Sequence, residues 1–249
     1  MNVVFHEDFF NVYAADPAAA AGRLEPVVDI IERHVTFVQA EPAAQADIEA
    51  VHTARHVQRV RQTGLYPAAC LAAGGAIQTA VLGLDQPAFG LLRPPGHHAS
   101  ADSAWGFCHF NNMAIAIQHL WRRQRIESVL VLDIDLHYGD GNVNTLGKVP
   151  GVRIFNPEAH ERRPYLEQVA AELAHHPVDV IGVSAGFDNH VDDWGGLLLT
   201  EDYFEIGWLV RSASQKNGGG CFAILEGGYN HDVLGANVLA LIEGLNQPG

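Results

Sequence analysis

The segment SVLVLDIDLH, residues 128–137, sets Asp133, Asp135 and His137 at alternate positions at the end of an apolar run. In an extended strand alternate side chains leave the same face, so these three groups share one side. Carboxylates at the end of a buried strand are costly unless paired or bound to a cation, and a metal ion answers that cost. Asp135 and His137 can share one ion, and a third ligand must come from a neighbouring strand. The run VDVIGVSAGFD, residues 178–188, supplies Asp188. Two aspartates and a histidine leave a coordination position open, as in catalytic zinc sites. Such an ion polarises a carbonyl and lowers the pKa of water toward ~7, so hydrolysis is the expected reaction class. Zinc is the expected metal; oxygen-rich ligation also admits Fe(II), Co(II) or Mn(II).

Two further segments carry groups suited to proton transfer and charge stabilisation. His97 and His98 follow a Pro-Pro-Gly turn that aims both rings at a fixed place. A neutral imidazole takes a proton from water and a protonated one returns it to a leaving amine. Asp133 and Asp140 are candidates to orient those rings by accepting their distal N–H groups. In EGGYN, residues 226–230, two glycines allow a sharp turn that presents the Tyr229 phenol as a donor to a developing oxyanion. Taken alone, GGY is a common turn.

These groups need a scaffold that brings distant segments to one rim. Apolar runs bounded by turn residues alternate with amphipathic stretches, the pattern of an α/β fold with a central, mostly parallel sheet between helical layers. Strands are expected at 3–6, 89–93, 129–137, 152–156, 178–188 and 222–226. Helices are expected at 25–39, 53–62, 68–82, 112–123, 164–175, 201–214 and 233–245. In such sheets ligands collect at the carboxyl ends of the strands. The clusters PPGHH, HYGDG, GFDNH and EGGYN each follow an expected strand.

The chain has 249 residues, 48% hydrophobic, with no repeat, charge block or linker-like stretch, so one domain over 1–249 is expected. Its 29 acidic against 15 basic residues give a net charge of -14, which argues against nucleic acid as a partner and favours approach of cationic ligands. Cys70, Cys108 and Cys221 have neither disulfide nor metal spacing and read as buried apolar residues. No leader-like N-terminus and no membrane-length apolar run is evident, and a cytoplasmic protein with no membrane partner is expected. The oligomeric state is not readable.

The motifs RPPGHHA at 93–99, GFCHFNN at 106–112, DIDLHYGDG at 133–141, SAGFDNH at 184–190 and EGGYN at 226–230, in that order, resemble the histone deacetylase and acetylpolyamine amidohydrolase family. AGRLEP and VHTARHV add a weaker likeness near the N-terminus. The resemblance implies the arginase/deacetylase fold and a zinc-dependent deacylase acting on an acylated amine, such as acetyl-lysine or an acetylpolyamine. It implies Asp135, His137 and Asp188 as zinc ligands and Tyr229 as the transition-state tyrosine. His97 and His98 become the tandem histidines, with Asp133 and Asp140 as their partners. Phe107 becomes an aromatic wall of the acyl-amine channel, the Gly106 carbonyl a substrate contact, and a structural potassium ion is implied beside the zinc.

The chain also departs from that pattern. Tyr138 stands where a second histidine is common, and His109 where an aromatic residue is frequent; neither is expected to bind zinc. The short stretch 156–178 replaces a longer insertion that carries the opposite wall, so a shallow channel, open on that side, is expected. The remaining histidines, among them His52, His56 and His176, are expected at the surface or in packing, and Asp192 and Asp193 as solvated rim acids. Two other readings are a catalytically silent acyl-amine binding protein and an arginase-like ureohydrolase with two manganese ions. The intact histidines and tyrosine argue against the first, and the single full ligand set against the second.

Overall fold

The computed structural model describes residues 1–175 and 177–247; His176 lies outside the described residues. Seven strands form one sheet: β1 (Asn2–Phe5), β2 (Thr36–Gln39), β3 (Ala88–Gly90), β4 (Val129–Asp133), β5 (Val152–Phe155), β6 (Val180–Ala185) and β7 (Gly220–Leu225). Their order is β2-β1-β3-β7-β6-β4-β5, and every described pairing is parallel. The central strands β4, β6 and β7 are buried on both faces, which is why they read as nearly continuous apolar runs.

Helices cover both faces. Helix α4 (Tyr66–Gly83) packs over β1, β3 and β7 and against α5 (Asn112–Arg122), while α8 (Thr200–Asn217) and α9 (His231–Leu245) pack together with α1 (Glu25–Ile31) and α7 (Arg162–His175). The α5 helix starts at Asn111, whose side chain accepts from Ala114 N at 2.7 Å, and buries Met113, Ala114, Ile115, Ala116, Ile117 and Leu120. Helices α2 (Gln45–Ile48), α3 (Ala54–Gln62) and α6 (Asp140–Leu146) complete the set among the described residues. No described helix is long and apolar enough to cross a membrane.

Three expectations are corrected. The helix expected at 25–39 ends at Ile31, and 36–39 is the edge strand β2, paired with β1. The β-branched and aromatic run Thr36, Phe37 and Val38 favours a pleated edge over another helical turn. The strands expected at 129–137 and 178–188 stop at Asp133 and Ala185. Asp135, His137 and Asp188 therefore stand on the segments beyond the strand ends, and strand pleat is not what brings them together. Helix α6, not foreseen, begins at Asp140, where an acidic side chain suits the positive end of the helix dipole.

Helix α3 holds the long loop between β3 and α5. His52 is buried, with Nδ1 3.0 Å from Ser100 O and Nε2 accepting from Asn111 N at 2.9 Å. His56 Nε2 lies 2.7 Å from His109 O, and Arg55 and Arg59 pair with Asp102. Both histidines are packing residues, as expected, and between them they fix the loop that carries Trp105, Gly106 and Phe107.

Candidate metal centre and its throat

The metal-ligand candidates meet where β4, β6 and β7 end. His137 Nδ1 lies 3.1 Å from Asp135 Oδ1 and 3.0 Å from Asp188 Oδ2. Ligands of a tetrahedral zinc with bonds of ~2.0–2.1 Å stand about 3.3 Å apart, so this spacing fits one ion. Asp188 is fully buried, yet its Oδ2 has no hydrogen-bond partner despite the nearby imidazole, as befits a lone pair aimed at a cation. Among the described residues these three form one of two groups whose donor atoms all lie within 4.8 Å of one another.

Main-chain hydrogen bonds to the carboxylates create this convergence. Asp135 N donates to Asp133 Oδ1 at 3.3 Å, His137 N to Asp135 Oδ1 at 2.9 Å, and Leu136 N to Asp188 Oδ1 at 3.1 Å. Gly227 N, just beyond β7, donates to Asp135 Oδ2 at 2.9 Å. When no ion is present, the neighbouring Asp135 and Asp188 carboxylates favour the charged imidazole and push His137 up to about 10. Burial would raise Asp135, but the positive charge of His97 and the His137 contacts outweigh it and hold the carboxyl well below the usual range.

The tandem histidines sit in the loop after β3, with ring centroids 4.0 Å apart. His97 Nδ1 is 3.2 Å from Asp133 Oδ2 and its Nε2 is 3.7 Å from Asp135 Oδ1. His98 Nδ1 is 2.7 Å from Asp140 Oδ1. Each histidine thus meets the carboxylate expected for it. Asn142 Nδ2 also donates to Asp133 Oδ2 at 3.0 Å. Burial disfavours the charged form of His97, but Asp135 and Asp133 reverse this and raise it well above 6.5. Burial and the neighbouring His97 lower His98 to about 4. Their surroundings push the two imidazoles in opposite directions, which suits one to hold charge and the other to accept a proton.

Trp105, not singled out from sequence, completes this pair. It stacks on His98 with centroids 3.7 Å apart and donates from Nε1 to Asp140 Oδ1 and Oδ2 at 3.1 and 3.0 Å. The next two residues have positive φ, 57° at Gly106 and 67° at Phe107. A Cβ at Gly106 would lie 2.4 Å from His98 Cδ2, so only glycine lets the turn approach the histidine. Cys108 is buried as expected, with its Sγ 3.6 Å from Gly106 O, and forms the second donor group with His97 and Glu226. Among the described residues His109 belongs to neither group.

Tyr229 is held from three sides. The buried Arg23 donates from Nε to Gly228 O at 2.9 Å and from Nη2 to Glu226 O at 2.7 Å, fixing the turn before it. Asp193 Oδ2 accepts from Tyr229 N and Asn230 N, both at 2.8 Å, so Asp193 is not the free rim acid expected. Trp194 stacks on the phenol ring at 4.1 Å, and Phe107 meets it edge-on at 5.8 Å. Burial and the negative Asp135 raise the phenol well above 10, keeping its O–H a donor.

Trp105, Phe107, Trp194 and Tyr229, with Pro95, wall a throat of about 160 Å³ that reaches His97, His98 and His137. No residue of 156–178 lines this throat, and Trp194 forms part of its wall. On that side a separate polar cleft of about 580 Å³ opens beside His137, lined by Tyr138, Asn156, Glu158, His160 and Asn189. The expected openness therefore lies next to the throat, and the throat itself is narrow.

Residues 62–166 match the histone deacetylase domain model. A probable deacetylase of Methanothermobacter thermautotrophicus is 32% identical, the alignment covering 98% of this chain and 90% of that one. A histone deacetylase-like amidohydrolase of Pseudomonas aeruginosa is 28% identical over 92% of this chain and 78% of its own. The human polyamine deacetylase HDAC10 is 26% identical over 98% of this chain and 47% of its own. With likeness running through nearly the whole of both the archaeal protein and this one, the chain belongs to the histone deacetylase family.

Proposed function

We propose that this chain is a zinc-dependent deacylase that hydrolyses the amide of an acylated amine, with acetyl-lysine or an acetylpolyamine as the substrate type. Its relatives are named deacetylases and amidohydrolases. The observation that carries the reading is the convergence of His137 Nδ1 with Asp135 Oδ1 and Asp188 Oδ2 at 3.1 and 3.0 Å, below a throat that also holds His97, His98 and Tyr229. Asp135, His137 and Asp188 would hold the ion, which supplies Lewis acidity toward the carbonyl and makes water more acidic.

The chain's own groups divide the remaining work. Trp105, Phe107 and Trp194 give an apolar sleeve for an alkyl amine and exclude bulk water. His98, neutral and tied to Asp140 through Nδ1, takes a proton from the attacking water and returns it to the amine nitrogen. His97, charged between Asp133 and Asp135, stabilises negative charge beside it. The Tyr229 O–H donates to the carbonyl oxygen as it becomes an oxyanion. The free, buried thiols of Cys70, Cys108 and Cys221 suit a reducing, cytoplasmic setting, and we read 1–249 as one catalytic domain.

The ureohydrolase reading is weaker. The second donor group, His97, Cys108 and Glu226, contains a thiol, which is a poor match for manganese. Tyr229→Phe tests the deacylase reading. Turnover should fall by ~100-fold or more, the scale of one lost oxyanion donor, with zinc content unchanged. Undiminished turnover removes Tyr229 from the chemistry.

A further inference from the structure

We infer that Asp193 is the positioning residue for the Tyr229 hydroxyl, acting through the tyrosine main chain and through Trp194. The inference rests on the proposed role of Tyr229 as oxyanion donor. Asp193 Oδ2 accepts from both Tyr229 N and Asn230 N at 2.8 Å, which fixes the peptide plane from which the phenol projects. Its other oxygen, Oδ1, accepts from Trp194 N at 2.8 Å, and Trp194 covers the phenol face at 4.1 Å. One carboxylate therefore sets both the backbone of the tyrosine and the ring stacked against it.

The loop is itself anchored to the metal centre. Gly195 N donates to Asp188 O at 2.7 Å, Asp193 N to His190 O at 3.0 Å, and Asn230 Nδ2 to Asp192 O at 2.6 Å. The six residues from Asp188 to Asp193 thus connect a candidate metal ligand to the proposed oxyanion donor. An oxyanion hydrogen bond is effective only when its donor is fixed before the charge develops. The turn 226–229 is also held by Arg23, which donates to the Glu226 and Gly228 carbonyls and lies 5.3 Å from the centroid of the Tyr229 ring, whereas the main-chain N–H groups of Tyr229 and Asn230 donate to Asp193.

A rim acid that merely attracts cations makes a different prediction: its loss raises KM, more so at low salt, and leaves kcat alone. The test is a double-mutant cycle in the zinc-loaded enzyme, comparing wild type, Asp193→Ala, Tyr229→Phe and the double variant on an acetyl-lysine peptide. Asp193→Ala should lower kcat by ~10- to 100-fold with KM nearly unchanged. In the Tyr229→Phe background it should cost almost nothing further, because the hydroxyl it positions is gone. Asp193→Asn, which keeps the shape and one accepting oxygen, should retain an intermediate rate and serves in place of the alanine variant if that one does not fold. Additive losses, or a rise in KM with kcat intact, overturn the inference. A slow Tyr229→Phe enzyme beside a fully active Asp193→Ala enzyme refutes the role of Asp193 alone. A fully active Tyr229→Phe enzyme refutes the oxyanion reading beneath it.

Discussion

Gly227→Ala should weaken zinc binding without altering the chemical nature of any ligand. Gly227 is not among the residues at positive φ, so alanine meets no backbone penalty and its effect is steric. A Cβ there would stand 2.6 Å from Asp135 Oδ2 and 2.8 Å from Asp188 Oδ2. Both carboxylates must retreat by about half an ångström to reach tolerable contact, against the ~0.2 Å tolerance of a metal–ligand bond. The hydrogen bond from Gly227 N to Asp135 Oδ2 at 2.9 Å is strained by the same movement. Misplacing supporting contacts of this kind costs ~10- to 100-fold in metal affinity, or about 1.4–2.7 kcal/mol. Competition with a chromogenic chelator at fixed pH reads the affinity, and circular dichroism checks the fold. Wild-type zinc affinity in a folded Gly227→Ala protein would refute the assignment of the two carboxylates to one ion.

Other outcomes follow from the same geometry. Asp140→Asn should lower kcat/KM by ~10- to 100-fold, because the charge that orients His98 Nδ1 at 2.7 Å is lost; a pH profile identical to wild type would contradict this. Burial holds His52 at about 3 against an ordinary 6.5, so the unfolded chain binds the extra proton first, and stability present above pH 6.5 is lost as pH falls toward 3. At pH 4.5 that loss amounts to about 3 kcal/mol relative to pH 7, and urea midpoints should show it shrinking in His52→Gln. Chelation should lower Tm by ~5–10 °C, the effect of removing a ligand held near 100 times its Kd, and added zinc should restore it in wild type but not in Asp135→Ala.

The α/β class was legible because β4, β6 and β7 are buried on both faces and therefore nearly continuously apolar. The rim was legible because its acids and histidines follow β3, β4 and β6, and Tyr229 follows β7. Strand length was not. The backbone from Asp133 to His137 stays in place after β4 ends because Asp133 and Asp135 side chains accept the next main-chain N–H groups, a contact that leaves the same alternating signature as a strand. The roles of Arg23 and Asp193, the latter expected only as a solvated rim acid, were not legible because they act on main-chain atoms 205 and 36 residues away. Trp105 and Trp194 are exposed aromatics in loops, and only their stacking on His98 and Tyr229 gives them a role. The short stretch 156–178 did signal an opening, since a cleft lies beside His137 there, but the throat wall formed by Trp194 comes from another loop and was not foreseen.

The central claim is that one metal ion and the throat above it cleave an acyl–amine bond. Zinc-loaded protein is incubated with an acetyl-lysine peptide and with an N-acetylated polyamine, and free acetate is measured against the amine released, with Asp135→Ala as the blank. The account predicts acetate and amine in equal amounts from wild type and neither from the variant. Zinc bound at one per chain with no acetate from either substrate, or equal release by Asp135→Ala, would contradict it.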